Sequence, residues 1–242
     1  MVQKLDQTNA EITLGYWGIR GLAQPIRFLL IAAGIPFSEI RLGLQTDGML
    51  MDEDDEGEDW DSHRATLDLP FPNLPYLIDN SGDSPVRLSQ SNAILRYLAR
   101  RFDFYGDSDH ERTEIDVLQD EAYDFRNQII DTAYTLGDDY AAAYEEFCSD
   151  AMPQYLDSFE RYLSRRDNKK YFVGSRLSLV DFVLYELFWQ MTLMVPGSIS
   201  PTARPTLQAF IQTFEQDAAI AGYLQSDNYI EHPINSHWAS FA

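Results

Sequence analysis

Tyr16 closes the β-prone run Ile12-Thr13-Leu14-Gly15-Tyr16, where a side chain can point across the edge of a sheet. A phenol there offers a hydrogen-bond donor, although it could equally just pack at a strand end. Gln90 and Ser91 open a helical pattern, where unpaired backbone N–H groups and the helix dipole favour an anion. Capping of that helix by Ser89 or Gln90 is the plainer alternative, and the two roles are compatible. Trp60 and Arg64 lie four apart, so one short helix would present both on one face.

Other chemistry is excluded. Cys148 is the single cysteine, which rules out an internal disulfide, a dithiol redox pair and a cysteine-based zinc cluster. The four histidines (His63, His110, His232 and His237) show no catalytic or ligand spacing, so no metal is expected. With no HExxH on a helix and no GxSxG, metalloprotease and hydrolase readings have no support. Asp52, Asp54, Glu56 and Gly57 imitate the start of an EF-hand loop, but position twelve is His63 and no flanking helix pair is evident.

The elements that must position these residues fall into two groups. Strand patterns at Ile12–Tyr16, Phe37–Leu42, Leu74–Asp79 and Ser84–Leu88 alternate with helical ones at about 22–33 and Gln90–Arg101. Pro25 is tolerable within the first turn of the first helix, and Gly34 stands where a C-terminal cap belongs. From Asp109 onward the patterns are helical, at Glu111–Thr135, Tyr144–Ser164 and Ser178–Val195. The last is apolar nearly all round and marks a buried central helix, with Ser178 and Asp181 at capping-box spacing. The expected organisation is an extension at 1–10, a mixed α/β domain at 11–102, a linker at 103–109 and an all-helical domain at 110–242.

The 242 residues suffice for a core without staples, and no apolar run approaches the length of a membrane span. The first ten residues carry no secretory pattern, so a cytoplasmic location is expected. Eighteen Lys and Arg stand against 39 Asp and Glu, a formal charge of −21. Such a surface repels phosphate backbones and anionic lipid, so neither nucleic acid nor membrane is an expected partner. Residues 11–102 carry 8 basic and 14 acidic side chains, and residues 103–242 carry 9 and 24. The acidic excess therefore lies mostly on the helical half.

The segment LGYWGIRGLAQPIRFLL resembles the opening strand, tyrosine and first helix of cytosolic glutathione transferases, most closely the mu class. LDLPFPNLPYLID is similar to the loop before that family's third strand, LSQSNAILRYLARR to its glutathione-binding turn and helix, and SLVDF to its core-helix cap. The resemblance runs almost continuously from Ile12 to Tyr134 and more loosely to Trp238. It implies a thioredoxin-like domain, an all-α domain and a homodimer that joins glutathione to small hydrophobic electrophiles.

By the same resemblance, the Tyr16 hydroxyl donates to the glutathione thiolate, and Tyr134 assists some additions as a second donor. Gln90 and Ser91 take the γ-glutamyl carboxylate. Leu74 bonds the cysteinyl backbone as an added strand would, beside Asn73 and a cis Pro75. Trp60 and Arg64 contact the glycyl end, Trp17 lines the same pocket, and Asp124 reaches the amine from the neighbouring subunit. Ile19, Leu22, Ile130 and Tyr134 form the electrophile pocket, and Phe71 inserts into the partner. Core packing is the ordinary alternative for the aromatic and aliphatic members. Neither serine nor cysteine occurs between Gly15 and Phe28, so Tyr16 has no rival of the kind other classes use.

The segment Met51–Asp59 departs from the pattern. Gly57 stands where many mu-class chains have an arginine, and eight acidic residues fall between Asp52 and Asp61. Weaker glutathione binding that improves with salt is expected. Two other functions fit a chain of this kind: a glutathione-dependent isomerase, separated only by its electrophile pocket, and a ligand carrier or assembly module without catalysis.

Overall fold

The computed structural model describes residues 3–5, 10–43 and 60–241. The acidic segment Met51–Asp59, with Asp52, Asp54, Glu56 and Gly57, lies outside them. The chain forms two compact units: one runs up to Leu98 and takes back Ile230–Pro233, the other comprises Ala99–Tyr229 and the chain from Ile234.

The first unit contains β1 (Gln3–Leu5), β2 (Ile12–Trp17), α1 (Gln24–Ala32) and β3 (Phe37–Leu42). A helical turn, α2 (60–64), follows, then β4 (Tyr76–Asp79), β5 (Val86–Ser89) and α3 (Ser91–Arg101), which runs on past Leu98. The sheet order is β1-β3-β2-β4-β5. β2 and β3 are parallel, joined through α1 as a crossover requires, and the other pairings are antiparallel. This is the α/β thioredoxin-like arrangement, extended by one strand. No strand pattern precedes Ile12 in the sequence, yet Gln3–Leu5 pairs with Glu39–Arg41 and covers what would be an open edge.

The helical unit contains α4 (Asp109–Ala133), α5 (Asp139–Ser149), α6 (Ala151–Ser164), α7 (Leu179–Met194), α8 (Pro205–Glu215) and α9 (Ala218–Leu224). The run read as one helix over Tyr144–Ser164 is two, broken at Asp150, whose ψ of −74° and φ of −122° leave helical geometry. The apolar period continues across the break, which is why the sequence pattern conceals it.

α7 is buried on nearly every side and packs against α4 and α8. Aromatic side chains form much of that core: Tyr185 stacks on Phe214 at 4.1 Å, and Phe172 meets Phe210 edge-on at 5.0 Å. At its N-terminus, Asp181 accepts 2.8 Å hydrogen bonds from the Ser178 N–H, the Ser178 hydroxyl and the Phe172 N–H. Burial still pushes its carboxyl up to about 6, against the opposing effect of those three donors. No helix among the described residues is long and apolar enough to cross a membrane.

Candidate functional site

Sheet register brings three of the expected residues to one place. Gly15 stands opposite Tyr76 in the β2–β4 pairing, and Tyr76 stands opposite Ser89 in β4–β5. One residue beyond that row, at the same end of the sheet, come Tyr16, Pro75 and Gln90. The row depends on a missing side chain, because a Cβ on Gly15 would lie 2.0 Å from the Tyr76 ring.

Tyr16 is buried, and its hydroxyl oxygen accepts a 3.1 Å hydrogen bond from the backbone N–H of Leu22. The loop that supplies this donor crosses close over the phenol. Gly21 has φ +39°, and a Cβ there would come within 2.5 Å of the Tyr16 hydroxyl. Accepting a hydrogen bond polarises the hydroxyl and makes it a better donor in turn. Of the other neighbours expected here, Ile19 is buried, while Trp17 and Leu22 are partly exposed.

The Leu74–Pro75 peptide is cis, as the resemblance implies. The backbone N–H of Leu74 is engaged by the Asn73 Oδ1 at 2.9 Å, on an exposed side chain that can rotate away. Phe71 stands 78% exposed between Pro70 and Pro72. The Ser89 hydroxyl donates to the Phe71 carbonyl at 2.6 Å, tying this proline-rich loop to the strand that leads into Gln90. Ser89 is thus occupied with the loop. Gln90 takes the left-handed conformation, φ 71°, which is uncommon for a residue with a side chain. It delivers the chain into α3, where Ser91 is buried in the first turn beside N–H groups that have no helical partner.

Trp60 and Arg64 share the turn α2, where Arg64 pairs with Asp61 at 3.0 Å and both remain exposed. What fixes this turn is a residue that sequence reasoning set aside. His63 Nε2 lies 2.8 Å from the Tyr76 hydroxyl, with the rings 5.7 Å apart. Burial pushes the Tyr76 hydroxyl above its ordinary pKa, so it stays protonated and can donate to a neutral imidazole. No spacing rule finds a contact made across 13 residues of irregular chain.

The helical unit carries the remaining positions. Asp124 is exposed on α4, and Ile130 is partly exposed one turn before its end. Tyr134 is the residue that ends α4. Its hydroxyl accepts a 3.1 Å bond from the Ser236 N–H, and Trp238 meets its ring edge-on at 5.2 Å. Ser240 adds bonds from its N–H to the Ala133 carbonyl and from its hydroxyl to the Thr135 carbonyl. The C-terminal tail is therefore laid over the end of α4, with Ser236 and Trp238 as contacts that no sequence pattern flagged. Among the described residues, no group of three or more His, Cys, Asp or Glu side chains is placed to hold a metal.

Comparison with known proteins agrees with this fold. Residues 12–100 match the N-terminal domain of glutathione S-transferases, and residues 123–227 match the C-terminal domain. Glutathione S-transferase Mu 3 of Homo sapiens is 35% identical over 233 residues, which cover 96% of each chain. Glutathione S-transferase 2 of Gallus gallus is 38% identical over 224 residues, 92% of this chain and 94% of its own. Among solved structures, the pi-class glutathione S-transferase of Onchocerca volvulus is similar with a TM-score of 0.76 and 25% identity. That likeness covers 95% of this chain and 99% of the other.

Proposed function

The chain belongs to the glutathione S-transferase family, with mu-class relatives over nearly its whole length, and from that premise we propose that it conjugates reduced glutathione to small hydrophobic electrophiles through a thiolate stabilised by Tyr16. The observation that carries the reading is the convergence of Tyr16, Pro75 and Gln90 at one end of the sheet, with Leu22 N–H on the Tyr16 hydroxyl oxygen.

A free thiol with a pKa near ~8.5 is mostly protonated at neutral pH, and the thiolate is the nucleophile. Lowering that pKa by about two requires roughly 2.7 kcal/mol of preference for the anion. A buried phenol donating to sulfur, itself polarised by a backbone N–H, can supply much of it. The γ-glutamyl carboxylate meets Gln90, Ser91 and the first N–H groups of α3. The cysteinyl backbone takes the Leu74 N–H once Asn73 turns aside, and Asn73 then contacts the ligand itself. Trp60 and Arg64 receive the glycyl end, with Trp17 beside them.

Ile19, Leu22, Ile130 and Tyr134 serve the electrophile. The exposed Phe71 is suited to burial in a second copy of the chain, and in that dimer Asp124 would meet the glutathione amine across the interface. The test is conjugation of glutathione to a chlorodinitrobenzene. Wild type should react and Tyr16→Phe should lose most of the rate while still binding glutathione. A wild-type protein that neither binds nor conjugates glutathione would overturn the reading.

A further inference from the structure

Arg27 is a fully buried arginine with no expected part in the reaction, and its guanidinium is spread over several acceptors. Nε donates to Glu39 Oε1 at 2.6 Å, and Nη2 lies 2.6 Å from the same oxygen. Nη1 points the other way, to the Ile19 carbonyl at 3.0 Å, the Gln24 Oε1 at 3.2 Å and the Arg20 carbonyl at 3.4 Å. Glu39 is anchored in turn by Arg41, which donates to Oε2 from Nη2 at 2.9 Å and from Nε at 3.1 Å. Burial pushes Glu39 upward, but Arg27 and Arg41 outweigh it and hold the carboxyl below its ordinary pKa. The pair is therefore charged at neutral pH.

The carbonyls that Arg27 grips belong to the loop that ends on the Tyr16 hydroxyl. Ile19 and Arg20 lie three and two residues before Leu22, whose N–H meets that oxygen. The opposite side of the loop is pinned by Arg20, whose N–H bonds the Pro233 carbonyl at 3.0 Å and whose Nη1 bonds the Ile230 carbonyl at 2.6 Å. A loop held on both sides keeps a fixed direction at Leu22. A buried ion pair is weak evidence for stability in itself, since packed apolar residues often do as well. A guanidinium that serves two backbone carbonyls and a carboxylate together is instead a device for geometry.

We propose that Arg27, braced by Glu39, is a positioning residue for the thiolate site: it fixes the 19–22 loop so that the Leu22 N–H stays on the Tyr16 hydroxyl and keeps that hydroxyl a strong donor. The inference rests on Tyr16 stabilising the thiolate. Arg27 itself touches no substrate; it acts through the loop.

The test uses Arg27→Lys and Arg27→Met in the full chain, with Tyr16→Phe as reference. Lysine keeps the charge facing Glu39, but one ammonium cannot also serve both carbonyls, and this variant stands in if the methionine variant does not fold. The readout is the pKa of enzyme-bound glutathione, followed by thiolate absorbance. We expect a rise of about one in the variants, with roughly fivefold less thiolate and about fivefold lower kcat/KM at pH 6.5. The rate should recover at high pH, and affinity for S-hexylglutathione, which has no thiol to ionise, should stay within twofold. A folded Arg27→Lys enzyme with the wild-type bound pKa overturns the inference. So does a parallel loss of S-hexylglutathione affinity and stability with no change in pKa, which marks a structural role alone. If Tyr16→Phe itself leaves the bound pKa unmoved, the thiolate reading has failed rather than the Arg27 step.

Discussion

His63 Nε2 and the Tyr76 hydroxyl, 2.8 Å apart, join the turn that carries Trp60 and Arg64 to the strand that begins beside Pro75. Tyr76 has two attachments: its ring fills the space that Gly15 leaves empty, and its oxygen holds α2. One tyrosine thus sets the spacing between the expected glycyl contacts and the end of the sheet where Tyr16 lies.

His63→Ala should therefore act on binding rather than on thiol ionisation. A neutral hydrogen bond is worth about 1 kcal/mol, so the Kd for glutathione should rise about fivefold. Isothermal titration checks the affinity, and the pKa of the bound thiol should not move. An unchanged Kd would mean that α2 is held by other contacts.

Tyr134→Phe removes the acceptor for the Ser236 N–H while leaving the ring to face Trp238. Amide exchange across 234–241 should accelerate about fivefold, and Trp238 fluorescence should report a more mobile tail. Electrophiles whose addition needs a hydrogen-bond donor should lose rate, and others should not. Unaltered exchange in the tail would show that the Ser240 contacts suffice.

Asp181 predicts a pH dependence of stability with a definite sign. Its carboxyl is raised by burial to about 6 from an ordinary 3.8, so the folded state binds the proton more tightly than the unfolded one. The associated stability is complete below the unfolded value and is lost as pH rises through about 6. Against Asp181→Asn, which does not titrate, wild type should gain about 1 kcal/mol between pH 7.5 and pH 5 in urea unfolding. A gain in the opposite direction would contradict the assignment. At either pH the variant should be the less stable, because an amide cannot accept from all three donors that converge on Asp181.

What the sequence reveals depends on whether a residue acts locally. Phe37–Leu42 reads correctly as a strand, and Ser178 with Asp181 correctly marks the start of α7, because periodicity and caps are properties of neighbouring residues. Gln3–Leu5 is invisible, since three residues of mixed polarity form a strand only by pairing with β3. Arg20, Arg27 and Glu39 carry charges that pattern reading assigns to the surface, and only the fold places them inside. Motif resemblance names Tyr16, Pro75 and Gln90 but not the register that aligns them. His63 escapes because it acts across a long loop. The contact of Leu22 with Tyr16 escapes, although Leu22 is named for the electrophile pocket, because it is made through a backbone N–H.

The most direct measurement is the ionisation of glutathione bound to the enzyme, titrated by thiolate absorbance in wild type and in Tyr16→Phe. The account predicts a bound pKa about two below that of the free thiol in wild type, and a value close to the free thiol in the variant, with glutathione still retained. Equal pKa values in the two proteins would contradict the assignment of the thiolate to Tyr16.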